Sequence, residues 1–338
     1  MMGQQPADDK LLPKKTAIVP PAPLLLEIEG HCRALYSAIY PKNADFMKIS
    51  EDILSPQRAA EDLHRLAESL PTDIRGTKLL EIGSGYGMLV AVAVKEFGID
   101  AFGVEPSQQF QGSFECSVML LEELGCGGER IHRAMGEALP FQDDSFDVVY
   151  SSNVLEHVRD PARVIAEAIR VVRPGGYVCF VVPNYGSWWE GHYGLLWFPG
   201  MPKWLGKLYV KLYGRDAAFI DTLNFISHGR LERILSSHLE SVEIRGWGID
   251  LWEKRLRTLD FSEWACLASL KAMVRWVHRL KLVETVIWLG KRLHWETPIV
   301  LTLQKLSGAG RVRKQSWETG ERSPARSRVG HSETSGHL

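Results

Sequence analysis

Glu81 stands two residues ahead of Gly83 in Leu79-Leu80-Glu81-Ile82-Gly83-Ser84-Gly85-Tyr86-Gly87, and a second carboxylate ends Phe102-Gly103-Val104-Glu105. Glycines at this spacing let a backbone turn tightly and approach a ligand, because no Cβ intervenes. A helix starting just after them would aim its free amides over the loop. Glu105, roughly 20 residues on, sits where a nucleoside ribose presents its hydroxyls, and a carboxylate can accept from both. These residues read as a nucleoside-cofactor site. The spacing is G-x-G-x-G, not the G-x-G-x-x-G of dinucleotide binders. Glu81 would repel a pyrophosphate and suit a cation. S-adenosylmethionine, with an ammonium, a sulfonium and no phosphate, fits that description.

Further blocks follow in order: Glu137-Ala138-Leu139-Pro140-Phe141, Asp144-Ser145-Phe146-Asp147-Val148-Val149, Ser152-Asn153-Val154-Leu155-Glu156-His157-Val158, and Arg173-Pro174-Gly175-Gly176. Together with the glycine loop they resemble the motifs of class I S-adenosylmethionine-dependent methyltransferases, in their small-molecule branch, over about 78–183. The resemblance implies that Glu81, Gly83, Ser84, Gly85 and Gly87 shape the methionine end, with Asn153 facing it. It also implies Glu105 at the ribose and Pro106 against the adenine. Family members usually carry an Asp about two residues before the Glu that opens Glu137-Ala138-Leu139-Pro140-Phe141, to accept from the adenine amino group. Met135 stands there instead, so the adenine edge falls to the backbone of Gly136 and Glu137 and the expected affinity is lower.

For catalysis, His157 is a candidate base, since imidazole titrates near neutrality. In the ubiquinone-pathway O-methyltransferases an E-x-x-E-H motif holds a metal. Asn153 replaces its first Glu here, and no metal is assigned. Glu156-His157 could equally be a structural helix-start pair. His192, in an aromatic loop at 184–204, is the other base candidate. Tyr185, Trp188, Trp189, His192 and Tyr193 form the expected acceptor-binding set, with a small satellite core as the competing use of the same rings.

The elements that must position these residues alternate: strand 78–82, helix 88–97, strand 101–104, helix 108–124, strands 130–134 and 146–152, helix 161–172, strand 176–182. Alternation of this kind predicts an α/β, doubly wound, mostly parallel sheet. A helix near 228–238 begun by Ser227, a strand at 241–245 and a strand at 298–304 bring it to seven. The resemblance implies that the last strand inserts antiparallel. The chain divides into a disordered lead (1–23), an N-terminal helical cap (24–77), the cofactor-binding core (78–249), an amphipathic helical insertion (250–296), the final strand (297–306) and a disordered tail (307–338). In 264–290, Leu270, Met273, Trp276, Val277, Leu280, Val283 and Ile287 share one helical face opposite Lys271, Arg275, His278, Arg279 and Lys281. Such a helix suits an anionic membrane surface, or packs on the domain or a second subunit of a homodimer.

The 338 residues carry 40 Lys+Arg against 41 Asp+Glu, which argues against a general nucleic-acid binder. Five scattered cysteines suggest neither a disulfide frame nor a zinc site and point to a reducing cytoplasm. Gln4, Gln5, Asp8, Asp9 and Lys10 follow Met1 where a secretory signal needs apolar residues. The implied function is methyl transfer to a small organic acceptor, oxygen before carbon or nitrogen, apolar or lipid-linked. A cofactor-binding protein without turnover and a nicotinamide oxidoreductase are the alternatives.

Overall fold

Proline and capping side chains set the first helices. The computed structural model describes residues 16–40, 44–107, 112–259 and 268–307. Pro21 precedes α1 (Ala22–Tyr36). The Asp45 carboxylate accepts from the Lys48 amide to begin α2 (Phe46–Ile53), and Ser55 does the same for the Arg58 amide at α3 (Pro56–Ser69). The tail 308–338 and the lead 1–15 lie outside the described residues. Within the rest of the lead, Thr16 donates its hydroxyl to Glu96 and α1 opens at Ala22, so residues 16–23 are tied down where disorder was expected.

The core follows as β1 (Lys78–Ile82), α4 (Met88–Glu96), β2 (Asp100–Val104), α5 (Ser113–Glu123), β3 (Ile131–His132), β4 (Phe146–Ser152), α6 (Pro161–Val171) and β5 (Val172–Val182). After it come the hairpin β6 (Trp189–Glu190) and β7 (Leu195–Leu196), α7 (Lys203–Leu212), α8 (Phe219–Thr222), α9 (His228–Leu235), β8 (Val242–Gly246), α10 (Ile249–Thr258), α11 (Ala268–Arg279), α12 (Val283–Leu293) and β9 (Ile299–Lys305). The sheet runs β3-β2-β1-β4-β5-β9-β8. Strands β1 to β5 pair in parallel, and β9 lies antiparallel to both neighbours. The expected seven-stranded, mostly parallel, doubly wound sheet is therefore present. Strand order reverses between β1 and β4, which opens a crevice at the carboxyl ends of the strands.

Period-2 alternation divides the burial. Leu79 joins the core under α1, α3, α4 and α5, while Leu80 and Ile82 join the one under α6 and α9. Ser227 stands at the N-cap of α9, but its side chain makes no capping bond.

The reading of 264–290 as one helix is corrected. Lys281 adopts φ 57°, which ends α11 and restarts the chain as α12 with a new phase. The buried residues are Val274 and Ile287, packed with Trp252 and Leu256 of α10, whereas Trp276 and Leu280 stand exposed. No described helix is long and apolar enough to cross a membrane.

Candidate functional site

The glycine loop turns between β1 and α4 with Gly83, Gly85 and Gly87 at φ 74°, 53° and 82°, a region that side chains rarely adopt. Each glycine has its own reason. A Cβ on Gly83 would collide with Val154, and one on Gly87 would stand 2.9 Å from Leu121 Cδ1. A Cβ on Gly85 would meet nothing within 4 Å, so it would project into open space. That space is a cavity of about 1050 Å³ lined by Glu81, Gly83, Ser84, Gly85, Glu105, Pro106, Gly136, Glu137 and Asn153. Gly87 is not in the lining. Its part is to start α4 as the left-handed N-cap.

Glu81 is 7% exposed, and its Oε2 has no hydrogen-bond partner. Burial, then the Asp62 and Glu105 carboxylates, push its pKa up to about 8. A buried anionic oxygen without a donor is costly unless a cation or donor meets it. Ser84 Oγ, also buried, has no partner either. Glu105 is differently placed: Oε2 accepts from the Gly85 amide at 2.9 Å, and Oε1 from the Ser107 amide and the Ser113 hydroxyl. Its carboxylate thereby holds the glycine loop itself. An oxygen with two lone pairs and one donor keeps room for one more, so the spare acceptor capacity lies on Oε2. Burial raises the Glu105 pKa against those three hydrogen bonds.

Met135 lines the same cavity beside Gly136 and Glu137. Glu137 Oε1 accepts from the Arg159 and Asp160 amides, which turns that oxygen to holding the approach to α6. Asn153 sits at φ 55° with its amide donating to Val181, so β4 ends there in a sharp turn. Glu156 and His157 follow on a turn and not on a helix start.

The two histidines meet. His192 Nε2 lies 3.2 Å from His157 Nε2, and His192 Nδ1 lies 2.7 Å from Glu190 Oε1. Glu190 is 2% exposed, and Oε1 also accepts from the Tyr185 hydroxyl while Oε2 accepts from the Tyr193 amide. Burial opposes a charge on His192, but the Glu190 and Glu156 carboxylates outweigh it and raise the His192 pKa. Burial would likewise raise Glu190; the imidazole charge and its hydrogen bonds bring it down instead. His157 is pushed down to about 3 by burial and by the charge on His192. These shifts run in one direction: Glu190 favours the charged form of His192, and burial with the charge on His192 favours the neutral form of His157. Glu156, fully buried with neither oxygen hydrogen-bonded, is pushed up to about 7 by burial. Donor atoms of Glu156, His157 and His192 lie within 4.8 Å of one another, a spacing that a cation could bridge.

The acceptor set is corrected. Of loop 184–204, Gly191 and His192 line the cavity, whereas Tyr185, Trp188, Trp189 and Tyr193 do not. Tyr185 stacks on Phe225 at 4.1 Å, and with Tyr193 and Trp197 it forms a core shared with Ile220 and Leu223. Trp189 is buried, and Trp188 packs edge-on against Trp295. Tyr185, Trp189 and Tyr193 serve packing because each is buried there, and their joint effect is to seat Glu190 and His192. In their place, Tyr36, Tyr40, Ile49, Ile53, Asp62 and Leu251 line the outer cavity, from the N-terminal cap and α10. Glu190 was missed because a lone loop carboxylate reads as solvated. The available signal was its position between Trp189 and Tyr193, two residues from His192.

Residues 80–180 match the family described as methyltransferase domain. An uncharacterized methyltransferase of Mycobacterium sp. (strain JLS) is 39% identical over 113 residues, covering 33% of this chain and 40% of that protein. One from Mycolicibacterium vanbaalenii is 41% identical over the same shares. The chain thus matches about two-fifths of the length of these relatives. A solved structure of Haemonchus contortus phosphoethanolamine N-methyltransferase 2, in complex with S-adenosyl-L-methionine, is 16% identical with a TM-score of 0.44, over 73% of this chain and 52% of that one.

Proposed function

We propose that this chain, whose residues 80–180 are a methyltransferase domain of class I topology, transfers the methyl group of S-adenosylmethionine to a hydroxyl of a small, largely apolar acceptor. The observation that carries the reading is Glu81: a buried carboxylate with an unpartnered oxygen, beside a glycine loop that leaves open space, in one cavity with His157 and His192. That donor set fits a cationic nucleoside and disfavours a pyrophosphate.

When bound, S-adenosylmethionine supplies a methyl group already activated on its sulfonium. Glu81 and Ser84 would hold its methionine end, Glu105 Oε2 a ribose hydroxyl, and Pro106 with the backbone of Gly136 and Glu137 the adenine. In its neutral form, with Nδ1–H donating to Glu190, His192 would take the acceptor's proton at Nε2, the nitrogen that faces His157, and Glu190 would stabilise the imidazolium formed. His157 shares that proton through its own Nε2. Tyr36, Tyr40, Ile49 and Ile53 give the acceptor side an apolar wall and help exclude water. This wall is the support for an apolar, lipid-linked acceptor. The unbridged Cys32, Cys116, Cys126 and Cys179 support a cytoplasmic setting.

Turnover of labelled S-adenosylmethionine with a panel of phenols, alcohols and amines tests the reading. Phenol or alcohol methylation that survives a chelator supports the histidine base. Activity lost to chelator and restored by a divalent cation would give Glu156, His157 and His192 to a metal instead.

A further inference from the structure

Helix α7 is built the wrong way round for a helix that belongs wholly to the protein interior. Gly206 and Val210 face inward, Gly206 so closely that a Cβ would stand 2.6 Å from the Trp197 ring. Its larger apolar residues point outward: Trp204, Leu208 and Leu212, at i, i+4 and i+8, are 69%, 54% and 78% exposed. Beside the helix, Phe198 is also largely exposed and touches Trp188 and the half-buried Tyr209 of α7. Large exposed apolar residues lined up along one helix mark a place where something else binds.

Charge selects what binds. Leu195–Arg215 carries Lys203, Lys207, Lys211 and Arg215 and no carboxylate, in a chain whose acids and bases nearly balance. Of these, Lys207 pairs with Asp221, which leaves the other three without a carboxylate ion-pair partner among the described residues. A second copy of this surface would set lysines against lysines. The chain's own tail beyond 307 opens with Arg311, Arg313 and Lys314 and offers few large apolar residues. An anionic bilayer answers both features, because tryptophan and leucine enter the headgroup boundary while lysines meet lipid phosphates.

We infer that α7 and the neighbouring β6–β7 hairpin dock this protein on an anionic lipid surface. The inference goes beyond the methyl-transfer reading and requires no cofactor, so the two stand or fall separately.

Flotation of the full chain with vesicles tests it. Wild type should float with phosphatidylcholine vesicles containing about one-third phosphatidylglycerol, and should remain below with phosphatidylcholine alone. The pair Leu208→Asp with Leu212→Asp, and separately Lys203→Glu with Lys211→Glu, should each cut the bound fraction at least about tenfold. Both pairs lie on the surface and should leave S-adenosylmethionine affinity unchanged. Absence of wild-type flotation, or equal flotation by both variants, would overturn the inference. So would a wild-type dimer in light scattering that either variant turns into monomer, since a second copy would then own the surface.

Discussion

Glu190 and His192 carry the most specific chemistry of any two side chains in the site. With the carboxylate 2.7 Å from Nδ1, the imidazole is fixed in orientation and its pKa lifted above the usual 6.5. A base must be neutral to act, so turnover should climb as pH rises through that lifted value. In Glu190→Gln the lift is lost, and the ascending limb should move to lower pH while maximal turnover falls about 10²–10⁴-fold. A pH profile of kcat for both proteins checks this, and an unmoved limb would free His192 of the role. Glu105→Ala should weaken S-adenosylmethionine binding by about 1–3 kcal/mol, as measured by calorimetry. It should also loosen the loop, because three protein donors lose their acceptor. Gly83, Gly85, Glu81 and Glu105, which line the cavity, were legible as a group, since their spacing is local. Glu190 was not, because its partners come from a hairpin that only forms in three dimensions.

Among the elements, strands and their connections were the legible part. β1 and β4 match the expected spans residue for residue, because buried apolar runs bounded by glycine or turn residues have few other uses. The aromatic loop was not legible. A density of Tyr and Trp reads the same whether the rings meet a ligand or each other, and here Trp197 is 1% exposed. Trp197→Ala should therefore cost about 3–5 kcal/mol in denaturant unfolding, with cofactor affinity of the folded fraction nearly intact. Acceptor affinity should fall with it, since the hairpin that presents His192 rests on this core. The insertion was misread for a different reason. A helical wheel presumes one unbroken phase, and Lys281 breaks it.

At the scale of the whole molecule, the sheet reverses order where the cavity opens. Helices from the N-terminal cap and from the insertion after β8 complete the lining of that cavity. On the proposed reading, this crevice holds S-adenosylmethionine against Glu81. Burial keeps Glu81 protonated up to about pH 8 in the free protein, whereas a cation beside it requires the carboxylate. Binding below that pH must then release a proton, and affinity should rise with pH by at most about tenfold per unit, levelling off above about 8. Calorimetric titration with S-adenosylmethionine across this range, with NAD as the comparison, is the most direct measurement. The expected result is heat from the sulfur nucleoside alone and an affinity that tightens with pH until Glu81 has titrated. Heat from NAD with none from S-adenosylmethionine would contradict it.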